Sequence, residues 1–145
     1  MFRRFKRNVV KMFREILVYH NNSLEFRAKI LTLVIASDRD MSSCEKKLLK
    51  EISYEIYSDD DGRADLLEDT VYEYIQKIET NNGLNFEHLI VQVERDVKES
   101  RRFCKKIDID MLNQFSECLS SEDDKIFNRR ILDFLKDIKD EYGSL

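Results

Sequence analysis

An all-α bundle of about seven helices is what this sequence predicts, and three observations predict it. The 145 residues contain no Pro and only three Gly, so most of the punctuation that sheets and hairpins need is missing. Apolar residues recur every three to four positions along almost the whole chain, the helical period. The runs so defined are separated by short polar joints, which place successive helices side by side. A chain of this length forms one ordinary domain and buries roughly 70% of its unfolded surface.

The first run is an arm, residues 1–22, set against a helical body over 23–145. In the arm Phe2, Phe5, Val9, Met12, Phe13 and Ile16 fall on one helical face, and "YHNNS" closes it at Tyr19–Ser23. Ser23 can cap a second helix carrying Phe26, Ile30, Leu33 and Val34, which stops near Ser37. A third starts near Ser42 and buries Leu48, Leu49, Ile52 and Ile56 before "SDDDG" interrupts it. Leu67, Val71, Tyr74 and Ile78 mark a fourth, ended by "TNNG", where a left-handed residue is tolerated. Phe86, Leu89, Ile90, Val93 and Val97 begin a fifth that the pattern extends to Phe103. The sixth is capped from Asp108 and uses Ile109, Leu112, Phe115 and Leu119. The seventh follows "SSEDD" and uses Phe127, Ile131, Phe134, Leu135 and Ile138. The stretches 26–52 and 111–138 resemble each other in layout, as two related helical hairpins, or shared amphipathicity alone, would produce.

Charge is unevenly placed. Residues 1–14 carry six Lys and Arg and no acid, whereas the rest carries 19 basic against 29 acidic residues, a net −10. A basic amphipathic helix over residues 1–18 can rest on an anionic membrane surface or in a partner's acidic groove, or dock on its own acidic body. The acidic body argues against a nucleic-acid surface, and the cluster Arg101, Arg102, Lys105 and Lys106 reads as a solvated helix end. The longest apolar run, "ILTLVIA", is far short of the ~20 residues that cross a bilayer. Cys44, Cys104 and Cys118 are odd in number and widely spaced, without a CxxC pair or a secretory signal, which fits free thiols in a reducing cytoplasm. Cys44 reads as a half-buried structural thiol.

Catalytic chemistry is hard to find. His20 and His88 are the two histidines, and neither has a Cys or His at ligand spacing. Phosphate-cradling GxxxxGK[ST], dinucleotide GxGxxG and nucleophile-elbow GxSxG patterns are all missing. The stretch "YSDDDGRADLLE", residues 57–68, imitates a calcium loop, but Tyr57 stands where its first carboxylate belongs, and an acidic cap for the next helix accounts for it. The chain is therefore expected to be no enzyme.

One joint remains with two readings. In "VIASDRDMSSCEKKLL", residues 34–49, Asp38, Asp40 and Glu45 offer three carboxylates to a hard divalent cation, Ca²⁺ or Mg²⁺. Ser42-x-x-Glu45 is equally a capping box, in which hydroxyl and carboxylate satisfy each other's backbone N–H groups. Ala36 and Asp38, then Met41-Ser42, then Glu45 ahead of "KKLL" resemble the signature of TerB-like domains, the family named for bacterial tellurite resistance. That signature has an Ala, an Asp-Gly, a small apolar residue, a Ser and a Glu opening the next helix; this chain has Arg39 in place of the Gly and Arg130 roughly where a second Glu is wanted. The resemblance implies an all-helical, non-enzymatic domain in a bacterial stress setting that binds a protein partner. It also implies a divalent cation held at the acidic joints, with Asp38, Asp40 and Glu45 as its residues here.

Overall fold

The computed structural model describes residues 22–36 and 41–143. Among them it contains helices and no strand: α1 (Asn22–Ile35), α2 (Ser43–Ile56), α3 (Asp61–Glu79), α4 (Phe86–Glu99), a 3₁₀ helix at Arg101–Lys106, α5 (Ile109–Asn113), a second 3₁₀ helix at Gln114–Cys118, and α6 (Glu122–Gly143). The expected all-α bundle is what the chain forms. The expected arm helix of residues 1–18 lies outside the described residues.

The bundle is organised around α1. Its sequence, NSLEFRAKILTLVI, is apolar almost all round, and a helix of that kind belongs inside. Leu24, Phe26, Ala28, Ile30, Leu31, Leu33, Val34 and Ile35 are all at most 2% exposed, so α1 buries its whole circumference rather than the single face that its 3.6-residue pattern suggests. It packs against α3, α4 and α6, with Phe26 stacked on Phe103 at 4.8 Å. The other helices are amphipathic and present one stripe each: Leu49 and Ile52 from α2, Leu67 and Val71 from α3, Leu89, Val93 and Val97 from α4, Leu135 and Ile138 from α6. Burying side chains of this kind contributes roughly 1.5–3 kcal/mol each, offset by the chain entropy lost on ordering.

Helix ends follow from local chemistry. The Asp60 carboxylate accepts from Arg63 N at 3.0 Å and starts α3, so "SDDDG" is a cap and a turn, with Gly62 inside the first helical turn. Asn81 (φ 55°) and Gly83 (φ 88°) take the left-handed conformation that ends α3, Asn and Gly being the residues that reach it most readily. Asn85 accepts from Glu87 N at 2.8 Å to start α4, and Asp108 accepts from Met111 N at 3.1 Å to start α5.

Three boundaries differ from the sequence reading. α1 begins at Asn22, which puts Ser23 inside the first turn and not at the cap. α4 stops at Glu99, because the chain tightens into a 3₁₀ helix that turns Phe103 and Cys104 inward. The sixth helix is split into α5 and the 3₁₀ helix at Gln114–Cys118, with Leu112 and Phe115 both 1% exposed. In α6, Phe127 is 40% exposed at the helix start rather than in the core, where Asn128 takes its place and donates to Val34 O at 3.4 Å.

Two polar links cross the core. Lys29 on α1 reaches Asp96 on α4 at 2.8 Å and Glu25 at 3.7 Å, its side chain only 9% exposed. Lys139 on α6 donates to Ile107 O at 2.6 Å, tying the last helix to the end of the first 3₁₀ helix. Each gives a long cation a partner where water is scarce.

Candidate functional site

The α1–α2 joint is where the sequence concentrated its oxygen ligands, and the structure describes one side of it. Glu45 is 1% exposed at the third position of α2. Its Oε1 accepts from Ser42 N at 3.0 Å and from Ser42 Oγ at 3.1 Å, while Glu45 N donates to Ser42 Oγ at 3.2 Å. The capping box is thus complete, and it explains why a carboxylate is buried here: Ser42 is extended (φ −71°, ψ 164°), which turns its N–H toward the helix axis and within reach of the Glu45 carboxylate. The positive end of the α2 dipole favours the same charge. Asp38 and Asp40 lie outside the described residues. Among the described residues no three His, Cys, Asp or Glu side chains gather into a metal-holding group, so they supply Glu45 alone, with one oxygen engaged twice in the cap.

One residue along from the cap the thiol reading needs correction. Cys44 is bonded to Cys118, their Cα atoms 5.6 Å apart across 74 residues of sequence, and only Cys104 is a free thiol. Spacing along the chain could not show this pairing, because it depends on the bundle placing the first turn of α2 beside the end of the second 3₁₀ helix. Cys44 is exposed and not the half-buried thiol expected. Both cysteines line a shallow cleft of about 210 Å³ whose walls include Lys47, Leu48, Glu51, Gln114 and Glu117. Cys104 is different: it is 4% exposed, and burial pushes its thiol above the ordinary value against the opposing pull of Lys139 and Arg101.

A wider cleft, about 500 Å³, runs along α3 and includes Asp69, Tyr72, Glu73, Gln76, Thr80 and Asn82 in its lining. These are the polar face of one helix, since 69, 72, 73, 76 and 80 follow the i, i+3, i+4 rule. Sequence reading passed over them because it followed the apolar face. The cleft presents carboxylates, amides, a phenol and the Lys77 ammonium, which pairs with Glu73 at 3.4 Å, and Thr80 is the one alcohol among its described lining residues. Further round α3, Tyr54 OH donates to Asp65, which joins α2 to α3.

The basic cluster is a surface feature as expected. Arg101, Arg102 and Lys105 are exposed along the 3₁₀ helix, where Arg102 lies 5.5 Å over the Phe103 ring and donates to Ser100 Oγ at 3.1 Å. Lys106 is held below the usual lysine value, first by burial and then by the charges of Arg27 and Arg102. Among the described residues no helix is long and apolar enough to cross a membrane. No protein-family model, curated protein or solved structure matches the chain.

Proposed function

We propose that this chain is a TerB-like, non-enzymatic helical module of the bacterial cytoplasm that binds a protein partner and responds to divalent cation, in the stress or tellurite-resistance setting that the family resemblance implies. The observation that carries the reading is the order of parts at the α1–α2 joint: an apolar central helix, an acidic segment, then Ser42 and Glu45 locked as the opening of α2. The same order is that of the TerB signature. In this reading Asp38, Asp40 and Glu45 supply the carboxylates for a cation, and Glu45 also fixes the helix start. The cleft on α3, where Tyr72 and Asp69 stand beside the Lys77–Glu73 pair, gives a polar partner surface something to bind.

Calcium and magnesium titrations of the purified protein test the cation half of this. Millimolar Ca²⁺ is expected to raise the melting temperature by mass action and to shift amide resonances of residues 36–46, and Asp38→Asn to remove that response. If neither ion moves the melting temperature or those resonances, the cation-responsive reading is wrong.

A second reading rests on the segregation of charge between a six-cation arm and a body of net −10. In it the chain is a peripheral adaptor that lays residues 1–18 on anionic lipid at the inner face of the membrane. Flotation with anionic vesicles, with and without residues 1–18, separates the two: binding that needs the arm and the anionic lipid supports the adaptor.

A further inference from the structure

We infer that the Cys44–Cys118 bond is a reversible redox clamp on the cap of α2, opened by thiol–disulfide exchange with a small or protein dithiol. Four observations meet here. The bond joins two elements that are distant in sequence, the first turn of α2 and the end of the Gln114–Cys118 helix. Cys44 stands between Ser42 and Glu45, inside the capping box, so the crosslink fixes the turn whose hydrogen bonds start the helix. Its two residues lie at the surface: Cys44 is exposed, Cys118 half-buried, and both line the same open cleft. A structural staple in a domain core would be shielded instead. The third cysteine, Cys104, is buried beside Gly143 and does not line that cleft, so exchange at the clamp has no internal competitor.

The step balances as an ordinary exchange. A thiolate of the dithiol attacks Cys118 Sγ from the cleft, an S–S bond forms between them, and the Cys44–Cys118 bond breaks. Cys44 leaves as a thiolate at the second residue of α2, where the helix N-terminus favours negative charge, and it then takes a proton. The second thiol of the reagent displaces Cys118, so two electrons pass from the dithiol to the protein and the reagent becomes a disulfide. After opening, the Gln114–Cys118 helix keeps its apolar anchors, Phe115 at 1% and Leu119 at 6% exposed, while the first turn of α2 loses its covalent tie and keeps its hydrogen-bonded cap. The consequence is local release of the α1–α2 joint without loss of the bundle. The clamp works whether or not a cation or a partner binds, and its test uses neither.

Oxidised full-length protein is titrated with dithiothreitol in native buffer, thiols are counted by alkylation and mass spectrometry, and helicity and amide spectra are followed in parallel. Two further cysteines should become alkylated with helicity unchanged, and amide shifts should be confined to residues near 41–49 and 113–119. The double variant Cys44→Ser, Cys118→Ser should reproduce the reduced spectrum and ignore dithiothreitol. Three outcomes overturn the clamp: three free thiols in protein purified under air and then treated with oxidised glutathione, reduction that requires denaturant, or loss of helicity on reduction and in the double variant alike.

Discussion

Removing the hydroxyl of Ser42 isolates what Glu45 is for. Ser42→Ala takes away the acceptor of Glu45 N and a donor to Glu45 Oε1, both at the start of α2. Loss of an N-cap costs about 1 kcal/mol. A buried carboxylate short of one donor costs about 1 kcal/mol more, Glu45 being 1% exposed and unable to turn to solvent in place. With unfolding entropy near 2.1 cal/mol/K per residue, a total of ~2 kcal/mol lowers the melting temperature of a chain this size by about 7 °C. Glu45→Gln keeps a carbonyl oxygen for Ser42 N and Oγ and forfeits chiefly the favourable charge at the helix N-terminus, about 0.3–1 kcal/mol. Differential scanning calorimetry of the two variants in metal-free buffer, with the disulfide intact, gives the comparison. The cap account requires Ser42→Ala to be the more damaging. Equal or reversed losses would show that the carboxylate is held chiefly by something other than Ser42, and the reasoning from the capping box would fail.

Other perturbations are expected to separate in the same way. Lys29→Ala leaves Asp96 without its cation, 80% of the Asp96 side chain being covered, and should destabilise by about 3 kcal/mol in urea melts; the pair Lys29→Met, Asp96→Leu should recover most of that, and no recovery would mean the ion pair is not the source. Opening the Cys44–Cys118 bond frees a 74-residue separation in the unfolded chain, so reduced protein should lie about 2–4 kcal/mol below oxidised protein; coincident urea curves would contradict that. Burial raises the Cys104 thiol, so native protein at pH 8 should be alkylated there far more slowly than in urea. The sign for stability follows: the favourable contribution is full below the unfolded thiol value of ~8.5 and declines as pH rises past it, and a stability gain over that range in Cys104→Ala relative to the parent is the expected readout. Lys106 is depressed chiefly by burial, so Lys106→Gln should stabilise at pH 7 by less than ~1 kcal/mol, and a loss would show that its charge is wanted.

Most of the fold was legible because it rests on local rules. Periodicity placed Leu67, Val71, Leu89, Val93, Leu135 and Ile138 in the core, and capping chemistry placed Ser42 and Asp108 at helix starts and an acidic cap within "SDDDG", since each of those bonds spans three residues. What failed depended on neighbours far along the chain. The full burial of α1 is decided by α3, α4 and α6 covering it on several sides, and four core-facing positions were the most that its own pattern suggested. The exposure of Phe127 follows from Asn128 occupying the inward position, where it can reach Val34 O across 94 residues. The partner of Lys29 is 67 residues away, and that of Cys44 is 74.

The candidate site divides along the same line. Glu45 was assigned two roles from sequence because a capping box and an oxygen ligand need the same residue type in the same first turn. Three hydrogen bonds between Glu45 and Ser42 give the cap a structural basis that needs no ion. The proposed cation role falls to Asp38, Asp40 and Glu45 together, and Glu45 also fixes where α2 begins. The disulfide sharpens the consequence. With Cys44 clamped to Cys118, the first turn of α2 is fixed both by its cap and by a covalent bond, and the acidic segment leads directly into that turn. Any ligand drawn to Asp38 and Asp40 would meet a joint whose far side is tied covalently when oxidised and is left to its hydrogen-bonded cap when reduced. A cation response that differs between the two redox states is thus expected, measurable as unequal Ca²⁺-induced shifts in melting temperature for oxidised and dithiothreitol-treated protein. Identical shifts would show that the acidic segment and the clamp act independently.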